Sequence, residues 1–221
     1  MSSSAAFDIS HFFSGALVLL SFMLLYQDRM PALINIFALH ATALVFAVVW
    51  QGYVQSAPSL YVTAAIAFAV KAVIIPLALH RIVERLGVHR TIETVVGIGP
   101  TMLLGMGLVA LSMVVMLHVT EGASAVARED MALALSVVLL GLLIMVTRRY
   151  AVTQVIGFMS IENGLILAAA AAKGMPLVVE ISVALSILVA FIVIGIFLFR
   201  IRERFDTVDV AALDRFRGER R

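Results

Sequence analysis

RRYAVTQVIGFMSIENGLILAAAAA occupies residues 148–172. Two arginines open it and are expected to face water. The apolar run behind them has about the 20 residues that cross a bilayer. One carboxylate, Glu162, sits in its middle. At 1.5 Å per residue it lies roughly 21 Å from Arg148 and roughly 16 Å from Lys173, near the centre of the hydrocarbon. An acid at that depth costs roughly 2.5–3.5 kcal/mol on insertion scales. Such a group faces a protein interior or a water-filled path, and its default reading is proton or ion work.

The rest of the chain fits around this helix. Of 221 residues, 62% are hydrophobic and only 14% charged, against about 25% charged in a soluble domain. The apolar excess runs the whole length, so the chain reads as a polytopic membrane protein with no soluble domain left over. The pI near 9.3 does not point to nucleic acid, because the basic residues gather at the ends of apolar runs. There is no cysteine, which excludes disulfides, thiolate-held iron–sulfur clusters and thiol chemistry. The opening MSSSAAFDIS lacks the positive region of a signal peptide, so the first apolar run is expected to stay as a span.

The expected fold class is all-α, with seven transmembrane helices over 11–26, 32–53, 59–80, 98–119, 131–147, 152–172 and 176–199. Helices are required because open strands leave backbone groups unsatisfied in lipid. With the N-terminus outside, every arginine except Arg128 falls on the inner side. Outside there are only Arg128 and Lys173, and Lys71 lies within a span. The positive-inside rule therefore gives N-terminus out and C-terminus cytoplasmic.

A parallel internal repeat is expected. LVLLSFMLLYQDRM (17–30) aligns with VVLLGLLIMVTRRY (137–150), LINIFALHATALV (33–45) with VIGFMSIENGLIL (155–167), and HRIVERL (80–86) with FRIRERF (199–205). His40 meets Glu162 in this alignment. The architecture is then 3+1+3. Residues 1–97 form the first three-helix repeat with a cytoplasmic loop, 98–130 a connector helix and outer loop, and 131–221 a second three-helix unit with a cytoplasmic tail. The polar connection 79–97 reads as an amphipathic surface helix or a solvated loop.

Three more ionisable groups lie within spans. Lys71 is as deep as Glu162 and shares a helix face with Ala64 and Ala67. It reads as a proton relay, or as half of an ion pair with a carboxylate of this or another subunit. Pro76, five residues on, frees a carbonyl and is expected to bend the helix. His40 can pass a proton through its two nitrogens. Glu180, about 6 Å inside the outer boundary, reads as the mouth of a path or as a wetted interfacial acid. His11 and His118 lie near outer span ends and read as interfacial. The spacings offer no metal site, no phosphate-binding loop and no nucleophile–base arrangement.

The last ninety or so residues resemble the K-type three-helix subunit of respiratory complex I and its relatives in Mrp-type antiporters. The resemblance rests on Arg148-Arg149, Ile156-Gly157, Glu162-Asn163, the basic end from Arg200 to Arg204, and the tail DTVDVAALDRFRG. With its extra spans in front, the chain resembles hydrogenase-4 component E, a membrane subunit of group 4 nickel–iron hydrogenase and formate hydrogenlyase complexes. The resemblance implies a non-catalytic subunit of an oxidoreductase complex in a prokaryotic cytoplasmic (inner) membrane. It implies no cofactor or redox centre in this chain, with nickel–iron and iron–sulfur centres in partner subunits. The expected partners are antiporter-like and complex I-like membrane subunits and peripheral hydrogenase subunits. The family's first membrane glutamate maps onto Glu162. Its second falls on Ile187, with Glu180 the nearest acid, which is a departure from the pattern. The expected function is a proton-translocation path through Glu162, Lys71 and His40. The alternatives are a self-contained 3+1+3 transporter of small solutes and a passive scaffold.

Overall fold

In the computed structural model, the structure describes residues 3–86, 96–119 and 125–172, with isolated positions 92, 188 and 195. The expected seventh span, Glu180 and the tail lie outside the described residues. The described part is helical. It comprises α1 (Ser3–Tyr26), α2 (Met30–Gln55), α3 (Pro58–Ala67), a π-helical segment (Phe68–Ile74), α4 (Ile75–Leu86), α5 (Ile98–Val119), α6 (Ala125–Thr147) and α7 (Ala151–Ala171). Among the described residues six helices are long and apolar enough to cross a membrane, α3 to α4 acting as one of them.

The packing is inverted relative to a soluble protein. Phe12, Leu19, Leu103 and Val146 are exposed, while Ser21, His40, Lys71, Glu162 and Asn163 are buried. Large apolar side chains facing out and charges facing in suit a lipid solvent, in which only the interior can partner a polar group. Leu17, Leu24, Phe37, Leu44, Leu140, Ile144 and Ile156 fill the remaining interior with no exposure.

Local chemistry sets the breaks. Pro31 occupies the first turn of α2 behind an extended Arg29, where the missing N–H costs nothing. At the other end of α2, Ser56 takes a left-handed φ of 52°, and Ala57 donates its N–H to the Gly52 carbonyl at 3.0 Å. Pro58 then starts α3, and the extended Ala57 before it is what proline imposes. The third span is continuous but irregular. Ile75 N–H bonds the Val70 carbonyl five residues back, so the turn around Lys71 is one residue wider than α. The same wide pairing would hand the Lys71 carbonyl to Pro76, which has no N–H. The sequence foretold a bend at Pro76; the structure adds a widened turn centred on the buried lysine. The helix continues unbroken to Leu86, so the first part of the 79–97 connection extends the span. Ile92 tucks back, donating its N–H to Asp28 at 2.7 Å.

The closest helix pair is α6 with α7, joined through glycines. A Cβ on Gly141 would lie 2.8 Å from the Ile161 nitrogen and 2.9 Å from the Gly157 oxygen; one on Gly164 would lie 2.9 Å from the Ala134 oxygen. Small residues let membrane helices approach this closely. Gly164→Ala is therefore expected to destabilise the chain by about 1–3 kcal/mol, the range for overpacking. Thermal unfolding in detergent checks this, and an unchanged midpoint would show that the helices separate freely.

Arg148 departs from expectation. It is only 2% exposed, and its Nη2 donates to the Leu25 carbonyl at 2.5 Å. It caps the last turn of α1, whose carbonyls lack intrahelical donors. Burial pulls its guanidinium below the ordinary range, and Asp28 opposes that. Arg149 alone of the pair faces out.

Candidate functional site: a buried polar chain

Three helical elements meet at mid-bundle and bring Glu162, Lys71 and His40 together. Lys71, on the π-helical segment, places Nζ 3.3 Å from Glu162 Oε2 on α7. The same Nζ donates to Asn163 Oδ1 at 2.8 Å. Asn163 Nδ2 faces His40 Nδ1 on α2 at 2.9 Å. His40 Nε2 lies 3.0 Å from Ser21 Oγ on α1, and Ser21 donates to the Leu17 carbonyl at 2.9 Å. All five side chains are at most 1% exposed. Lys71 lies on the buried face made by Leu60, Thr63, Ala64 and Ala67, the face it was expected to share with the two alanines. The ion-pair partner left open for Lys71 is a carboxylate of its own chain.

The direction of each bond follows from what the groups can do. A lysine ammonium only donates, so the Asn163 amide must turn its oxygen to Lys71 and its nitrogen to His40. His40 Nδ1 must then accept, which puts the ring proton on Nε2 to donate to Ser21. Every donor points from Lys71 towards Leu17. Glu162, Lys71 and His40 can each gain or lose a proton. The amide of Asn163 cannot readily do so; it positions its two neighbours.

A second buried group lies near the start of α6. Asp130 is 2% exposed. Ser10 donates to its Oδ2 at 3.0 Å and Ser14 to its Oδ1 at 3.2 Å. His11, expected only at an interface, stands 3.9 Å from Asp130 Oδ1 and 3.2 Å from Glu129 Oε2. His118 is exposed and bonds its own helix at Val114. Sequence reasoning missed Asp130, Ser10, Ser14 and Ser21. The signal was there in the serines at 10, 14 and 21, which share one face of a helix. Among the described residues no cluster of three histidines or acids could hold a metal ion.

Fold and site together define a multi-helix protein suited to a membrane, with a buried chain of polar side chains, three of them ionisable, in its interior. Over 218 residues, 97% of this chain and 99% of the relative, it is 29% identical to the uncharacterized protein Rv0085 of Mycobacterium tuberculosis strain H37Rv. No family model and no solved structure matches it.

Proposed function

We propose that the chain is a membrane-arm subunit of a complex I-like oxidoreductase, of the group 4 nickel–iron hydrogenase or formate hydrogenlyase type, and that it carries protons through Glu162, Lys71 and His40. The observation that carries this reading is the unbroken buried chain from Glu162 to Ser21. A lone structural ion pair would need no asparagine, histidine and serine continuing it by a further three bonds. Intramembrane ionisable groups that pair with one another mark proton relays. Glu162 and Lys71 exchange the proton directly. Asn163 holds Lys71 and His40 at a set distance, and a displaced lysine or one inserted water completes the transfer to His40.

The full architecture proposed is seven spans with the N-terminus outside and the C-terminus in the cytoplasm of a prokaryotic inner membrane. In this architecture Glu180 stands near the outer end of the seventh span, as a candidate for a mouth of the path. Support for the parallel repeat comes from two hairpins, α1 with α2 and α6 with α7. Their breaks fall at 27–29 and 148–150, and their equivalent helices pack on each other. Copies related by an axis along the membrane normal would bring His40 and the Glu162-Asn163 pair face to face.

Nickel–iron and iron–sulfur centres belong to partner subunits in this reading. The test is recovery of the tagged chain from its native membrane in mild detergent. A nickel–iron large subunit and antiporter-like membrane subunits should come with it. A chain recovered alone, in an active host, would contradict the assignment.

A further inference from the structure

The Asp130 group stands between water and the interior, and its exposure falls in steps. Side-chain exposure is 58% at Glu129, 20% at His11 and 3% at Asp130. A cavity of about 360 Å³ opens beside them, with His11, Arg128 and Glu129 on its polar side and Met113, Leu117 and Leu133 on its apolar side. His11 lines this cavity and reaches both acids, with Nε2 at 3.2 Å from Glu129 and Nδ1 at 3.9 Å from Asp130. Behind Asp130 stand the hydroxyls of Ser10 and Ser14. Gln51 of α2 donates to Ser10 at 2.8 Å, and Gln55 donates to Gln51 at 3.0 Å.

Ser10 and Ser14 lie on the same face of α1 as Ser21, the last side chain of the central path. Ser14 and Ser21 are about 10 Å apart along the helix. Among the described residues, the titratable and charged neighbours of Asp130 are His11 from α1 and Arg128 and Glu129 from its own helix. α2 presents Gln51, and α5 presents Met113 and Leu117 to the cavity.

We infer that Glu129, His11 and Asp130 form the outer port of the proton path, feeding the central chain along the serine face of α1. This rests on the relay reading above. A proton taken up from water by the Glu129 carboxylate passes to Nε2 of His11. The imidazolium releases its Nδ1 proton to Asp130, 3.9 Å away, through one bridging water, and the ring returns to neutral with its proton on the other nitrogen. Asp130 then holds the proton against Ser10 and Ser14. Between Ser14 and Ser21 the same face carries the buried Leu17, which must swing aside to admit the water that completes the connection. No electron moves, and each proton accepted is matched by one released. Arg128 lines the same cavity and places a positive charge on its wall.

The test uses the full chain in lipid nanodiscs, with infrared spectra recorded after a rapid drop in pH. The carboxylic-acid band that disappears in Glu162→Gln reports protonation of Glu162. If the port exists, Asp130→Asn and His11→Gln each slow the rise of that band by about 10²-fold or more, the lower end of the effect of a lost proton-transfer group. Asp130→Glu should restore most of the rate, which a purely structural role would not require. His11 is partly exposed, so its variant remains informative if Asp130→Asn folds poorly. An unchanged rate in the variants overturns the port and leaves the relay standing. If no band depends on Glu162, the relay reading itself fails and the port falls with it.

Discussion

Replacing Lys71 with methionine is expected to destabilise the folded chain by about 3–5 kcal/mol, the cost of stranding one partner of a buried ion pair. Methionine preserves the length and the apolar stem, so little packing is lost. What remains is Glu162, 1% exposed, with its cation gone from 3.3 Å. The Asn163 oxygen loses its donor as well. The double replacement Lys71→Met with Glu162→Met removes both charges and should recover most of that loss, because a buried pair replaced by apolar residues is often neutral or better. Unfolding of the four proteins in detergent gives the coupling energy directly. Additive single effects would mean that the two side chains do not share a charge interaction in the folded state.

Asn163→Leu is expected to have the second-largest effect, although asparagine carries no titratable proton. It leaves His40 Nδ1 without its donor and one Lys71 N–H without its acceptor. Each buried polar group stranded in this way costs about 1–3 kcal/mol, so the unfolding midpoint should fall. Proton delivery should fall with it, because nothing then holds lysine and histidine in line. Asn163→Asp separates the two consequences. It keeps an oxygen for Lys71 but offers no N–H to His40. The imidazole must then move its proton to Nδ1, and Ser21 must turn from Leu17 to donate to Nε2. Nitrogen-15 NMR of His40 should report the ring proton on Nε2 in the wild type and on Nδ1 in Asn163→Asp. The same tautomer in both would dismiss the positioning role.

The sequence announced the charged members of the site, showed Asn163 only as the neighbour of Glu162 in a motif, and hid Ser21. Glu162 and Lys71 stand out because charge in a hydrocarbon helix is expensive, so its presence demands a partner. His40 was visible through its alignment with Glu162. Asn163 and Ser21 impose no such cost, since a membrane helix satisfies short polar side chains locally; Ser21 does bond its own helix at Leu17. Asp130 was overlooked because it follows Arg128 and Glu129 at the start of an apolar run, where acids are ordinarily wet. Its burial comes from α1 crossing beside it, which no local pattern encodes. Arg148 was misjudged for the same reason. The positive-inside rule places an arginine at a helix end without saying whether a neighbouring helix needs its guanidinium as a cap. The five apolar helices first placed at 32–53, 59–80, 98–119, 131–147 and 152–172 lie close to those observed, since span length is set by the bilayer. The π-helical turn was half legible. Pro76 marked a break, but the displaced pairing that widens the turn at Lys71 is a property of the folded backbone.

The central claim is that Glu162 hands protons along a buried file. The most direct measurement is the number of protons moved per electron in native membrane vesicles whose only altered residue is Glu162→Gln. Glutamine keeps the size and a hydrogen bond to Lys71 but cannot carry the proton. On the proposed assignment the ratio should fall well below that of the wild type, while electron transfer to the acceptor continues and the complex stays assembled. An unaltered ratio would contradict the account.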